Sequence, residues 1–174
     1  IKQDADLIAA IHALPAHLAA ATLCDWSDAA SAISGQSLFT LGRGPSWAIA
    51  NEAALKFKET CQIHAESYSA AEVLHGPVSI VEEGFPVLCF AVGDAAESSV
   101  AKVSDDLAAK GASVFLTSEH PTGAVHLPHV RTGHGLTDPL ALVVSAYAMV
   151  ERLAGQRGLD PDKPRHLAKV TETL

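Results

Sequence analysis

The chain has 174 residues, which is enough for one domain of ordinary size and too few for two. Hydrophobic residues make up 48% of it and charged residues 18%, so a substantial core can form and extensive disorder is excluded. The net charge of −8 excludes a general nucleic-acid-binding protein, although a small cationic site remains possible. No apolar run has the length of a membrane span, and the first twenty residues lack the layout of a signal peptide. We therefore expect a cytoplasmic protein that binds neither nucleic acid nor membrane.

Three cysteines, Cys24, Cys61 and Cys89, are odd in number and lie in apolar surroundings. This pattern favours free, buried thiols over a disulfide framework. Cys61 and His64 have the spacing of half a zinc site, but no second pair follows, and the two histidines of HLPHV are separated by a proline. The sequence therefore predicts no metal site and no cofactor.

The N-terminal part of the chain predicts helices at 2–22 and 26–32, with Pro15 interrupting the first. The apolar run SLFTL at 37–41 then predicts a buried strand. A turn formed by glycines and a proline follows it, and the hydroxyl of Ser46 is expected to cap the next helix.

Strands and helices alternate through the rest of the chain. The predicted elements are a strand at 63–68, a helical turn at 70–74, strands at 86–92, 112–117 and 124–128, helices at 95–110 and 138–154, and a short helix in the tail. This alternation of strands and helices, with apolar strand runs that lack polar alternation, predicts a parallel sheet covered on both faces. Ligands of such sheets bind beyond the carboxyl ends of the strands, near helix N-termini.

Glu52, Lys56 and Glu59 are spaced by four and three residues, so they share one face of the helix after the glycine turn. They could form solvated ion pairs or the wall of an active site, and taken alone the ion-pair interpretation is favoured. The turn itself does not support a nucleotide site, because Trp47 stands where G-x-G-x-x-G needs its third glycine.

Three motifs that occur in order favour the active-site interpretation over simple ion pairs. They are LGRGPSWAIANEAALKFKE, IHAESYSAAEVLHGP and PDKPRHLAKVTE. Together they resemble the SIS (sugar isomerase) domain, most closely the second, C-terminal SIS domain in the isomerase half of glucosamine-6-phosphate synthase and its deaminase-like relatives. The resemblance covers nearly the whole chain. It implies a three-layer α/β/α sandwich, similar to flavodoxin, with a parallel sheet of about five strands.

The resemblance also implies a role for each matched residue. Glu59 would be the base that moves a proton between C1 and C2 of the sugar, with Lys56 and Glu52 in support. His75 would help to open the sugar ring from a neighbouring subunit, which implies a homodimer. Lys169 of the tail would contact the open-chain sugar.

The candidate substrate-binding residues are Gly42, Arg43, Gly44, Ser46 and Ala168. The Ser/Thr-rich phosphate cradle of the family is missing, because AVGDAAESS follows the central strand and its serines fall in a predicted helix. We therefore expect a first SIS domain to supply the phosphate site.

We interpret residues 1–174 as one SIS domain, with leading helices at 1–34, an α/β core at 35–155 and a tail at 156–174 that contributes to the active site. The preferred function is a phosphosugar isomerase without a glutaminase, which converts glucosamine-6-phosphate to fructose-6-phosphate. The alternatives are the isomerase half of a glutamine–fructose-6-phosphate aminotransferase, a non-catalytic sugar-phosphate-binding module, and a scaffold whose active site has decayed.

Overall fold

A computed structural model describes residues 4–120 and 123–167, where five α-helices and five β-strands alternate. The helices are α1 (Ala5–Ala21), α2 (Ser27–Ala32), α3 (Pro45–Cys61), α4 (Glu97–Ala108) and α5 (Asp138–Gln156). The strands are β1 (Ser37–Gly42), β2 (His64–Ser69), β3 (Pro86–Phe90), β4 (Ser113–Thr117) and β5 (Val125–His126). Two short 3₁₀ helices, Val73–His75 and Pro77–Ile80, connect β2 to β3.

The five strands form one sheet in the order β2-β1-β3-β4-β5, and every neighbouring pair is parallel. Strand β1 lies between β2 and β3, so the second strand is added on one side of β1 and all later strands are added on the other side. Such a change of side creates a crevice at the carboxyl edge. The predicted α/β fold with about five parallel strands is confirmed.

Both faces of this sheet are buried. Along β1, Leu38 belongs to one hydrophobic core and Phe39 to the other, and along β3 Leu88 and Cys89 alternate in the same way. The first core lies under α2, α3 and α5, and the second lies under α4 and the 3₁₀ segment. Because both cores exclude water, the inner strands β1, β3 and β4 have no solvent-exposed face, as expected for a parallel sheet between two helical layers, whereas the edge strands β2 and β5 are partly exposed.

Two local predictions were wrong. Helix α1 continues through Pro15, because the missing N–H leaves only the carbonyl of Ile11 without its helical partner, and both residues are exposed to water. Ser46 does not cap α3: the residue before the helix is Gly44, and Ser46 lies inside the first turn. Its hydroxyl instead donates a hydrogen bond to the Phe90 carbonyl oxygen at 2.7 Å, which ties α3 to the end of β3.

Several boundaries also differ from the predicted ones. Helix α4 begins at Glu97 because the preceding residues form a turn held by the Asp94 carboxylate, which accepts a hydrogen bond from the Ala96 N–H at 2.8 Å. The last strand shrinks to the two residues of β5, at the edge of the sheet. Within the described residues, no helix has the length and apolar character needed to cross a membrane.

Of the three free cysteines, Cys61 and Cys89 are buried and Cys24 is half-buried. Across 4–120 and 123–167, no group of three or more His, Cys, Asp or Glu side chains is arranged to hold a metal ion.

Candidate active site

The three charged residues of α3 form one connected group. The Lys56 ammonium lies 2.6 Å from Glu59 Oε2 and 3.6 Å from Glu52 Oε1. The opposite face of α3 carries Ala50, Ala53 and Phe57 into the core, and this burial fixes which way the charged face points.

The ion pair between Lys56 and Glu59 perturbs the lysine. The hydrogen bond from its ammonium to Glu59 raises the pKa of Lys56 above its usual range, and the charge of Glu52 acts in the same direction. The side chains of Lys56 and Glu59 are 30% and 27% exposed, so solvent screens the pair only in part. Lys56 therefore remains an ammonium at neutral pH and can balance a carboxylate base.

A cavity of about 390 Å³ opens beside this group. Its lining residues are Lys56, Thr60, Tyr147, Val150, Glu151 and Pro161. Helices α3 and α5 supply five of these six residues, and Pro161 belongs to the start of the C-terminal tail. The cavity has room for a small polar ligand, and the Lys56 ammonium is on its wall.

Sequence reasoning missed Tyr147, whose hydroxyl donates a hydrogen bond to Glu52 Oε1 at 2.6 Å. This bond raises the pKa of Tyr147, because the neutral hydroxyl is the form that can donate to the carboxylate. The tyrosine and the glutamate are 95 residues apart in the chain, so no spacing rule could have paired them.

The glycine turn lies at the other end of α3. Of the four candidate substrate-binding residues there, Arg43 and Gly44 are exposed, whereas Gly42 and Ser46 are buried. Helix α3 rises about 1.5 Å per residue, so the turn and Glu59 are separated by roughly 20 Å along the helix. The structure therefore does not bring the turn and the carboxylate base into one small site.

His75 is separated from Glu59 by the sheet. It ends the first 3₁₀ helix, whose Val73 packs in the core under α4, whereas Phe57 of α3 packs in the core on the other face. His75 itself is exposed. Within one chain, the two residues thus belong to different layers. The remaining candidates, Ala168 and Lys169, lie outside the described residues.

A second charged cluster, also missed by sequence reasoning, fills the carboxyl edge beyond β3 and β4. Arg131 donates hydrogen bonds to Glu97 Oε1 at 2.7 Å and to the Ala91 carbonyl oxygen at 3.0 Å. Asp138 accepts from the Gly93 N–H at 3.0 Å. These carboxylates are buried and occupy the donors that an anion would need, which disfavours a phosphate at this crevice.

The five-stranded parallel sheet between two helical layers defines a doubly wound α/β protein. The SIS-domain family profile matches residues 33–125, which is more than half of the chain. The chain belongs to the SIS-domain family.

Two curated relatives are glutamine–fructose-6-phosphate aminotransferases. The enzyme of Aeropyrum pernix is 41% identical over 82% of this chain, and that of Bordetella pertussis is 31% identical over 97% of it. The chain spans only 24% and 29% of those two proteins. A crystal structure from Silicibacter pomeroyi, described as a candidate phosphosugar isomerase, is 64% identical with a TM-score of 0.87, and the match covers 91% of this chain and 49% of that one.

Proposed function

We propose that this chain is the catalytic SIS domain of an amino-sugar phosphate isomerase that acts as a deaminase and needs no glutamine. It would convert glucosamine-6-phosphate and water to fructose-6-phosphate and ammonia. The observation that carries this proposal is the 2.6 Å pair between Glu59 and Lys56, whose side chain lines the 390 Å³ cavity. A carboxylate held beside an ammonium is suited to moving a proton between adjacent carbons.

In this proposal Glu59 removes the proton from C2 of the open-chain amino sugar and, after that proton exchanges with solvent, delivers one to C1. The product of that shift is a ketose imine, and one water molecule hydrolyses it to fructose-6-phosphate and ammonia. Lys56 orients Glu59 through the 2.6 Å ion pair, while Glu52 lies 3.6 Å from the same ammonium. Lys169 of the tail would stabilise the open-chain sugar through charge or through an imine.

The phosphate of the substrate needs hydrogen-bond donors, and the donors at the carboxyl edge of this sheet already bind carboxylates of the chain itself. The carboxyl edge of β3 is filled by Glu97, Asp138 and Arg131. We therefore propose that a first SIS domain holds the phosphate. The solved relative from Silicibacter pomeroyi is about twice the length of the matched region, which leaves room for such a domain in that protein.

A second candidate is the isomerase half of a glutamine–fructose-6-phosphate aminotransferase. The identity of 41% to the Aeropyrum pernix enzyme favours it. This alternative differs in the source of nitrogen and not in the proton transfer, so Glu59 and Lys56 keep their roles. A non-catalytic sugar-phosphate sensor would need neither Glu59 nor Lys56 for proton transfer.

The test is proton NMR of glucosamine-6-phosphate in D₂O with the longest natural form of the protein. The deaminase produces fructose-6-phosphate that carries deuterium at C1, in a reaction that needs no glutamine. Glu59→Gln should abolish this conversion while sugar-phosphate binding, measured by calorimetry, stays within a few-fold. The control is Glu82→Gln, which removes an exposed carboxylate from the loop before β3.

The outcomes separate the three functions. If the protein converts fructose-6-phosphate to glucosamine-6-phosphate, and only when glutamine is present, the function is that of the aminotransferase and the deaminase proposal is rejected. Binding without turnover in either direction would support a sensor. Loss of binding in Glu59→Gln, with Glu82→Gln unaffected, would make Glu59 a ligand contact and not the base.

A further inference from the structure

Two carboxylates on α3 compete for one ammonium. Glu52 and Glu59 both lie on the same helix face as Lys56, one turn before it and one turn after it. The competition is unequal, since Glu59 lies 2.6 Å from the ammonium and Glu52 lies 3.6 Å from it. Glu52 is therefore the more distant of the two partners of Lys56.

The donor that holds Glu52 is on α5. The hydroxyl of Tyr147 donates to Glu52 Oε1 at 2.6 Å, and Oε1 is also the oxygen of Glu52 in the 3.6 Å contact with Lys56. A hydrogen bond to a charged acceptor is among the stronger ones in proteins. Because Tyr147 donates such a hydrogen bond, the Glu52 carboxylate has a partner other than the Lys56 ammonium.

We infer that Tyr147 is a positioning residue of the proton-transfer site. Its hydrogen bond holds the Glu52 carboxylate in place, so that the Lys56 ammonium stays paired with Glu59. The inference rests on the proposed function, and it adds a residue that none of the sequence motifs contains. Tyr147 does not itself transfer the proton in this scheme. It acts through Glu52 and Lys56.

A packing role does not explain this tyrosine. Tyr147 is 42% exposed and lines the cavity, whereas the core face of α5 is made by residues such as Leu142 and Met149. An exposed aromatic ring beside a cavity contributes little to core packing. The hydroxyl is the part of the side chain that makes a specific contact.

The charged groups around the hydroxyl come from both helices. Helix α3 presents Glu52, Lys56 and Glu59, and α5 adds Glu151 to the same cavity. Removing the hydroxyl frees Glu52 to approach Lys56, and Glu59 then loses part of its ammonium.

The first test is Tyr147→Phe in the longest natural form of the protein, with glucosamine-6-phosphate as substrate. We expect kcat to fall about tenfold and KM to stay within about twofold. The matched control is Tyr68→Phe, which removes another tyrosine hydroxyl that donates to a glutamate, Glu66. It should leave kcat and KM unchanged.

A double-mutant cycle distinguishes positioning from packing. With Glu52→Gln the competing charge is gone, so adding Tyr147→Phe should reduce kcat by less than about twofold further. If Tyr147→Phe costs the same factor in both backgrounds, the tyrosine does not act through Glu52, and the inference is overturned. A kcat of Tyr147→Phe equal to that of the unaltered protein overturns it as well.

A measurement without turnover separates failure of this inference from failure of the proposed function. In ¹³C NMR at pH 7, Tyr147→Phe should shift the side-chain carboxyl signals of both Glu52 and Glu59, whereas Tyr68→Phe should shift neither. A shift confined to Glu52 would overturn the coupling through Lys56 whatever the substrate is. Both shifts in a protein that converts no sugar phosphate would retain the coupling and reject the function.

Discussion

At the scale of single residues, the Lys56 ammonium is the centre of the candidate site. It is shared between Glu59 at 2.6 Å and Glu52 at 3.6 Å, and all three side chains are about a third exposed or less. Exposed pairs of this kind contribute roughly 0.2–1 kcal/mol each to stability. The pair therefore contributes little to the stability of the fold.

The raised pKa of Lys56 gives a prediction about stability and pH. Because the pKa in the folded state lies above the unfolded value near 10.5, the stabilisation is fully present below pH 10.5 and is lost as the pH rises through the folded value. Lys56→Met should thus lower the free energy of unfolding by about 0.5–1 kcal/mol at pH 7 and by less above pH 11. Urea unfolding at several pH values measures this difference.

The control for that experiment is Lys163→Met. Lys163 is 84% exposed and lies 3.8 Å from Asp160, so its removal should change stability little at any pH. A stability difference for Lys56→Met that grows between pH 9 and pH 11 would contradict the expected direction of the pH dependence.

The cysteines give a second prediction at this scale. Burial raises the pKa of the Cys89 thiol to about 12, and burial also raises the pKa of Cys61, while Cys24 is only half-buried. Because the thiolate is the reactive form, iodoacetamide at pH 8 should label Cys24 first and Cys89 only after unfolding. Peptide mass spectrometry over a time course reads this order, and early labelling of Cys89 in the folded protein would contradict it.

At the scale of elements, apolar runs and glycines were sufficient to predict β1, β3, β4, α3 and α5, because the three strands are buried and each of the two helices has one buried face. The predictions were less accurate at the ends of elements, where side-chain hydrogen bonds determine which residue is the first or the last. Asp94 delays the start of α4, and Ser46 bonds to β3 instead of capping α3. The face of α3 that carries the charges followed from spacing alone. Its partner Tyr147 did not, because only the packing of α5 on α3 brings the two together.

The contact between β1 and α3 depends on Gly42. A Cβ atom there would lie 2.6 Å from the Ser46 carbonyl oxygen and 2.8 Å from the Trp47 Cα, and both are backbone atoms that cannot rotate away. Gly42→Ala should therefore lower the free energy of unfolding by about 2–4 kcal/mol and displace the first turn of α3. Chemical denaturation measures the loss.

Gly35 provides the matched control for that substitution. No atom lies within 4 Å of a Cβ built at Gly35, so Gly35→Ala should be close to neutral. Equal stability of the two variants would show that the close approach at Gly42 is relaxed by a small shift of the helix.

At the scale of the whole molecule, the sheet divides the candidate residues into two groups. Glu52, Lys56 and Glu59 lie on α3 in one layer, and His75 follows a segment that packs in the other. Sequence motifs predicted all four, but they could not show on which side of the sheet each one lies. If His75 serves the same reaction, a second copy of the chain must present it.

A mixing experiment tests that arrangement. Glu59→Gln and His75→Ala should each be inactive alone, because each removes a group required in every site. In a homodimer whose sites combine Glu59 of one copy with His75 of the other, a heterodimer of the two variants contains one intact site and one doubly altered site. After equal amounts are mixed and subunits exchange, half of the dimers are mixed, so activity should return to about a quarter of the wild-type value.

The unaltered protein must also sediment as a dimer for this result to be interpreted. The control mixture combines Glu59→Gln with Lys56→Met and should remain inactive, because both residues lie on one α3 and each site of the heterodimer then lacks one of the two groups. Activity in the first mixture and none in the second would assign His75 to the neighbouring subunit. A dimer whose first mixture stays inactive would remove His75 from the site, and the ring-opening step would then need a donor from the layer that contains α3.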